Sequence, residues 1–420
     1  MTNRPDPIAI LAQHESPDAT FLGANPPLVF ARAQGLTVWD HEGRRYLDLC
    51  AGFGVMSLGH HHPVHRAVFA EQATEAPAPV VHGMGDVYPS VVKAELIAQL
   101  VQQLPEKLDT VGLALSGGQA VEFAVKTALL RKSGVIAHVA GSYHGLDLGL
   151  LPLTDRDDFS RPFTFWQKPD VSLTIPWQAS REVLAQLSDQ LKQAGKDLSA
   201  VIVEPIQGRA GIKPAGSRWL EQLRQFADHH DALLIYDEVF CGLGRSGRWS
   251  FAELVPCDVV CLGKALGGGL PLSACVGSRE VMASWPQNRG EALHTGTFFG
   301  HPLSCQMGLA TLQAMIDQGL VDQAAQKGLF WLELLRSRLG SHPLIKDIRG
   351  EGLMLGLVGW QPQFGVRLMD ELRALGVIAL VSGTEGDILS LTPPLIIDQD
   401  TMEEANDLIG EALRRLTEGA

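Results

Sequence analysis

The chain has 420 residues, 45% of them hydrophobic, with a formal net charge of −13 and a pI near 5.5. That length supports a large buried core and more than one domain. The negative balance argues against nucleic acid or an anionic membrane as the main partner, and no apolar run reaches the roughly 18 residues of a spanning helix.

The first 35 residues are proline-rich and irregular, with one short apolar run (8–12) that is followed by Gln13, His14 and Glu15; no signal peptide is expected there. The six cysteines are scattered without a C-x-x-C pair, which reads as reduced core thiols of a cytoplasmic protein. Residues 36–39 and 45–49 flank Asp40-His41-Glu42-Gly43 and predict a hairpin. Next come His60, His61, His62 and His65 around Pro63. They invite a metal site, yet no cysteine or carboxylate cluster accompanies them. A turn feeding a helix over 64–74, with Pro63 as its first residue, is the plainer account, and no metal is assigned.

Helical spacing follows over 91–104, then a short apolar run over 111–115 that predicts a buried parallel strand. It opens onto Ser116-Gly117-Gly118-Gln119 and an apolar helix over 120–130. Strand, glycine turn and helix start make an anion-binding arrangement, because free N–H groups and the helix dipole point at one place. Further strands are expected over 135–140, 200–203, 232–236, 259–262 and 273–276, with a helix over 218–229. Alternating strands and helices imply an α/β fold with a mostly parallel sheet. Ligands bind beyond the carboxyl ends of such strands, where Gly117, Tyr143, Glu204, Asp237 and Lys264 fall. After about residue 305 the texture changes to a long helical region (303–339), strand-like runs at 352–358, 377–381 and 388–391, and a final helix over 400–416. The expected division is a segment 1–60 that joins a small α+β domain, a large domain over 61–305, and the rest of the small domain over 306–420.

Two glycine-rich stretches compete for attention. Gly242-Leu243-Gly244-Arg245-Ser246-Gly247 matches a dinucleotide fingerprint, but the strand before it ends in Asp237 and Glu238, which would repel a pyrophosphate, and no long helix follows. The second is Gly263-Lys264-Ala265-Leu266-Gly267-Gly268-Gly269. Its local sequence is uncharged, so burial should lower the lysine pKa and free a neutral amine to condense with a carbonyl. The three glycines suggest a close approach by backbone, cofactor or partner chain.

Taken together, seven stretches resemble the class III pyridoxal-phosphate-dependent aminotransferases (ornithine/4-aminobutyrate type, fold type I): Gly59-His60-x-His62-Pro63, Tyr143-His144-Gly145, Glu204-Pro205-Ile206-Gln207-Gly208, Asp237-Glu238-Val239, Gly242-x-Gly244-Arg245-x-Gly247, the Lys264 turn, and Thr297-Phe298-x-Gly300-x-Pro302. They come in that family's order, over about residues 36–395. The resemblance implies a seven-stranded-type sheet covered by helices, and pyridoxal 5'-phosphate held as a Schiff base on Lys264, which would also carry the substrate Cα proton. It implies Asp237 at the pyridine nitrogen, Tyr143 and Val239 on the two ring faces, Gly117 and Gly118 at the phosphate, and Glu204 supporting the ring and Asp237. His144 would stand behind these groups. Thr297 would reach the phosphate of a neighbouring subunit, so a homodimer is implied.

The chain departs from the family pattern at several positions. The phosphate turn usually carries Ser or Thr where Gly118 stands, and Glu where Gln119 stands. Phe240 replaces a common glutamine. Ser390 stands where members that bind an α-carboxylate carry arginine, and Arg209 where many carry glutamate. The charge has crossed the pocket, so Arg209 is the candidate anchor for an anionic substrate, with Phe53 as an apolar contact. The expected activity is ping-pong transfer of an amino group from an amino acid or ω-amine to a 2-oxo acid. The alternatives are an aminomutase, racemase or decarboxylase built on the same cofactor residues, or a non-catalytic cofactor-binding protein.

Overall fold

The computed structural model describes residues 6–16, 19, 28–73, 80–287 and 290–418. A seven-stranded sheet forms its centre, in the order Thr110–Ala114, Ser273–Gly277, Val259–Leu262, Leu233–Asp237, Leu198–Val203, Val135–Val139, Ser172–Ile175. The strands Leu198–Val203, Leu233–Asp237 and Val259–Leu262 are buried along their whole length, as expected where helices cover both faces of a sheet. One core joins Val201, Val203, Leu234 and Tyr236 to Trp219, Leu220 and Leu223, which project from the helix Ser217–His229. On the opposite face Ala200, Ile202 and Ile235 pack on Ala120, Val121 and Ala124 of the helix Gly117–Arg131.

Strand direction corrects one expectation. Ser273–Gly277 runs antiparallel to both its neighbours, so Thr110–Ala114 pairs only with an antiparallel strand instead of a parallel one. The helical region after residue 302 is two helices, Pro302–Asp317 and Leu320–Leu339, broken where Gly319 turns left-handed at φ 59°. The run at 377–381 is likewise two pieces. Val377–Ile378 pairs in parallel with Leu47 and Asp48 of the N-terminal hairpin, and Leu380–Ser382 pairs with Ile388–Leu391 in a different four-stranded sheet. A second core accordingly mixes Leu49 and Leu58 with Trp331, Leu357, Phe364 and Leu413.

The histidine group is dispersed over structural tasks. The His62 ring accepts the Val64 N–H and caps the helix Pro63–Gln72. His60 meets Asp48 at 2.7 Å, and His65 meets Thr311 at 3.0 Å. No described helix is long and apolar enough to cross a membrane.

Candidate active site

The sheet delivers its functional side chains at one edge. A cavity of about 620 Å³ lies there, and every residue expected at the site except Thr297 lines it: Phe53, Gly117, Gly118, Tyr143, Glu204, Arg209, Asp237, Val239 and Lys264. Thr297 is exposed and away from this cavity. His144, Asp147 and Phe240 also face the cavity.

Lys264 follows the strand Val259–Leu262 and opens a single 3₁₀ turn. Its backbone is left-handed at φ 44°, a conformation that costs a non-glycine residue about 1–3 kcal/mol and clusters at functional sites. Burial lowers its pKa to about 8, while Asp237 and Glu204 pull the value back up. The local sequence is uncharged, but the fold brings both acids close. Nζ lies over the Phe240 ring, 4.1 Å from its centre, a placement in which the ring face offsets part of the cost of burying the ammonium. The glycines after Lys264 make their close approach within the chain. A Cβ on Gly268 would fall 2.3 Å from Thr311 Oγ1 and 2.8 Å from His65 Nε2, so that turn is pressed against the helix Pro302–Asp317.

Asp237 ends its strand and is 6% exposed. Its Oδ2 lies 2.7 Å from His144 Nδ1, and its Oδ1 accepts the Val239 N–H at 3.2 Å. A carboxylate can only accept, so the Nδ1 atom of His144 carries the proton. The opposite ring nitrogen, Nε2, is buried without a hydrogen-bond partner among the described residues. Glu204 accepts the Tyr143 N–H on Oε2 (3.0 Å) and the Gly208 N–H on Oε1 (3.2 Å). Burial first, and Asp237 as a like charge, raise it to about 7 against the pull of His144. It thereby pins the loop that carries Tyr143.

The helix Gly117–Arg131 begins with a capping box. Ser116 Oγ accepts the Gln119 N–H, and Gln119 Oε1 accepts the N–H groups of Leu115 and Ser116. Gln119 is therefore a functional cap in place of the family's glutamate, and the S-x-x-Q spacing was the available signal. The first helical N–H groups face a narrow space. A Cβ on Gly117 would lie 2.5 Å from Val239 Cγ1, and one on Gly145 would lie 3.1 Å from the Gly118 Cα.

On the substrate side, the Arg209 guanidinium sits over the Tyr143 and Phe159 rings, at 5.4 and 6.0 Å. It makes no ion pair within 4.0 Å among the described residues. Its backbone carbonyl accepts the Gly383 N–H. Ser390 is buried, bonds Ser382 Oγ at 2.6 Å, and does not line the cavity.

The aminotransferase class-III family profile matches residues 22–413. The chain belongs to the class-III aminotransferases. It is 32% identical over 395 residues to the acetylornithine aminotransferase of Methanothermobacter thermautotrophicus, covering 93% of this chain and 95% of that one. Among solved structures, the (S)-enantioselective omega-transaminase of Thermomicrobium roseum superposes with a TM-score of 0.86 at 27% identity, covering 97% of each chain. The ornithine aminotransferase of Toxoplasma gondii, whose active site carries pyridoxal phosphate at partial occupancy, gives 0.84 at 26% identity over 98% of this chain and 94% of that one. This class-III aminotransferase is thus a fold type I enzyme that uses pyridoxal phosphate to move an amino group from an amino acid or ω-amine to a 2-oxo acid. The cavity fits that cofactor. It offers a lysine of lowered pKa for an aldehyde, a helix start for a phosphate, and a cradle at Gly117 that a single Cβ would close.

Proposed function

We infer that the residues of this cavity hold pyridoxal phosphate and divide the work of transamination as follows. Gly117 and Gly118 would hold the phosphate, Tyr143 and Val239 the ring faces, Asp237 the ring nitrogen, and Lys264 the carbonyl carbon. When bound, the cofactor supplies a carbonyl that takes up the donor's amino group and a ring that draws electrons from the substrate Cα. The observation that carries the reading is that one cavity is lined by all these groups, with Lys264 at a pKa of about 8.

Lys264 would serve as the base that takes up and returns the substrate Cα proton. Its lowered pKa keeps a useful share of the amine neutral near pH 8. Asp237 keeps a proton on the ring nitrogen, which strengthens the ring as an electron acceptor. His144 orients Asp237 through Nδ1, and Glu204 fixes the Tyr143 backbone. Arg209 takes the carboxylate of an acidic substrate, because its guanidinium lines the cavity with no ion pair within 4.0 Å among the described residues, while Phe53, Val55 and Phe240 form apolar walls. The amino group is exchanged in two half-reactions at this one site. The working unit is a homodimer in which Thr297, exposed on its own chain, completes the phosphate site of the other subunit.

Steady-state kinetics of Arg209→Ala test the anchor. With acidic 2-oxo acids, KM should rise by about ten- to a hundredfold, the scale of a lost charge-assisted hydrogen-bonded pair, with neutral ω-amine donors little affected. An unchanged KM for acidic substrates removes Arg209 from the role.

A further inference from the structure

The helix start at Gly117–Gly118 already has an acid beside it. A Cβ on Gly118 would lie 2.2 Å from Asp147 Oδ2, so the Asp147 carboxylate fills the volume that a side chain at position 118 would occupy. The glycine at 118 and the carboxylate at 147, 29 residues further on, therefore fit together: a side chain at 118 would collide with Asp147 where it stands.

The position of Asp147 is built into the fold. Its backbone carbonyl accepts the N–H groups of Leu150 and Leu151 at 2.8 and 3.2 Å, and Gly145 packs on the Gly118 Cα. Its carboxylate, by contrast, has no hydrogen-bond or ion-pair partner among the described residues. The charged and titratable groups around it are Glu122 on the helix, ion-paired to Lys126 at 3.0 Å, Tyr143 on its own loop, and His144, Glu204, Arg209, Asp237 and Lys264, which line the same cavity. Burial, then repulsion by Glu122, raises the Asp147 pKa above the usual carboxylate range. In turn the Asp147 charge adds to the rise of the Tyr143 pKa.

We propose that Asp147 weakens the grip of this enzyme on its cofactor, because its carboxylate competes with the cofactor's phosphate for the start of the helix Gly117–Arg131. A phosphate ester near neutral pH carries close to two negative charges, and like charges in one pocket repel even at a partly exposed site. To admit the phosphate, the carboxylate must swing outward or take up a proton. Retention then becomes weaker as pH rises and Asp147 ionises. The proposal rests on the placement of the phosphate at Gly117–Gly118.

The test is a binding measurement on cofactor-stripped full-length protein, with no turnover involved. Pyridoxal phosphate is titrated by quenching of protein fluorescence, and inorganic phosphate by calorimetry, for the parent, Asp147→Asn, Asp147→Glu and Gly117→Ala. Inorganic phosphate has no aldehyde, so it reads the helix start separately from Lys264. Asp147→Asn should bind both probes about tenfold more tightly at pH 8, as expected for removal of one like charge at a partly exposed site. The advantage should shrink at pH 5, and Asp147→Glu, which keeps the charge, should show none of it. Asp147→Asn that binds either probe no more tightly, while Gly117→Ala binds both more weakly, overturns the role of Asp147 alone. Gly117→Ala with undiminished affinity for inorganic phosphate overturns the phosphate placement and the proposal with it. Asp147 is exposed, so its substitution should leave the core intact, and equal thermal unfolding of the stripped variants confirms that affinity, not folding, has changed.

Discussion

Replacing Lys264 by methionine should stabilise the cofactor-free protein while abolishing its chemistry. The two side chains have similar length, so packing changes little. The lysine pKa is about 8 in the fold against 10.5 in its ordinary setting. Between those values the unfolded chain binds a proton that the folded chain does not, so the stability of the parent rises with pH across that window. Below about pH 8 the parent carries the full penalty of a buried ammonium, about 3 kcal/mol for a sealed site at 1.36 kcal/mol per pH unit. Lys264 keeps part of its surface open to the cavity, and water there reduces the penalty to about 1.5 kcal/mol. Urea unfolding at pH 7 should therefore find Lys264→Met more stable than the parent by about 1.5 kcal/mol, with the gap closing towards pH 10.5. Turnover and the visible absorption of bound cofactor should both disappear. A variant equal to or weaker than the parent at pH 7, or a gap independent of pH, would refute the reasoning about desolvation.

Two further substitutions probe the surroundings. Gly117→Ala places a Cβ 2.5 Å from Val239 Cγ1; the displaced valine intrudes on the ring space, and cofactor affinity measured by dialysis should fall by about five- to a hundredfold, the range of a 1–3 kcal/mol overpacking cost. Glu204→Gln turns one acceptor into an NH₂ group facing a backbone N–H, which should cost about 1–3 kcal/mol in urea unfolding at pH 7.5. The folded pKa of Glu204 is about 7, above its ordinary 4.5. Its contribution is complete below pH 4.5 and is lost as pH rises through 7, so this component of the falling stability between those values should be missing from Glu204→Gln.

The positions of the buried strands were legible because a strand covered on both faces needs a continuous apolar run, as in Val259–Leu262. Their direction was not, since such a run reads the same both ways, and Ser273–Gly277 proved antiparallel. The strand Ile345–Glu351 was missed because only Ile345 and Ile348 of its seven residues are buried. Lys264, Asp237 and Glu204 were legible by spacing after their strands. The hydrogen bond of His144 to Asp237 spans 93 residues, and the approach of Asp147 to Gly118 depends on how one loop folds over a helix. Neither leaves a local pattern in the chain. Arg209 stood out only as a charge in an unusual place; its stacking on Tyr143 and Phe159 required the fold.

The pairing of Val377–Ile378 with Leu47–Asp48 has a consequence for synthesis. The N-terminal hairpin emerges early but gains its parallel neighbour only about 330 residues later, roughly 15–65 s at ordinary rates of translation. For most of that interval, until residue 314 is made, Leu49 and Leu58 lack the core partners that follow in the chain, while the central sheet can already close. The nascent enzyme therefore carries an open strand edge and uncovered leucines through most of its own production, and that first segment is where chaperones and proteases would meet it.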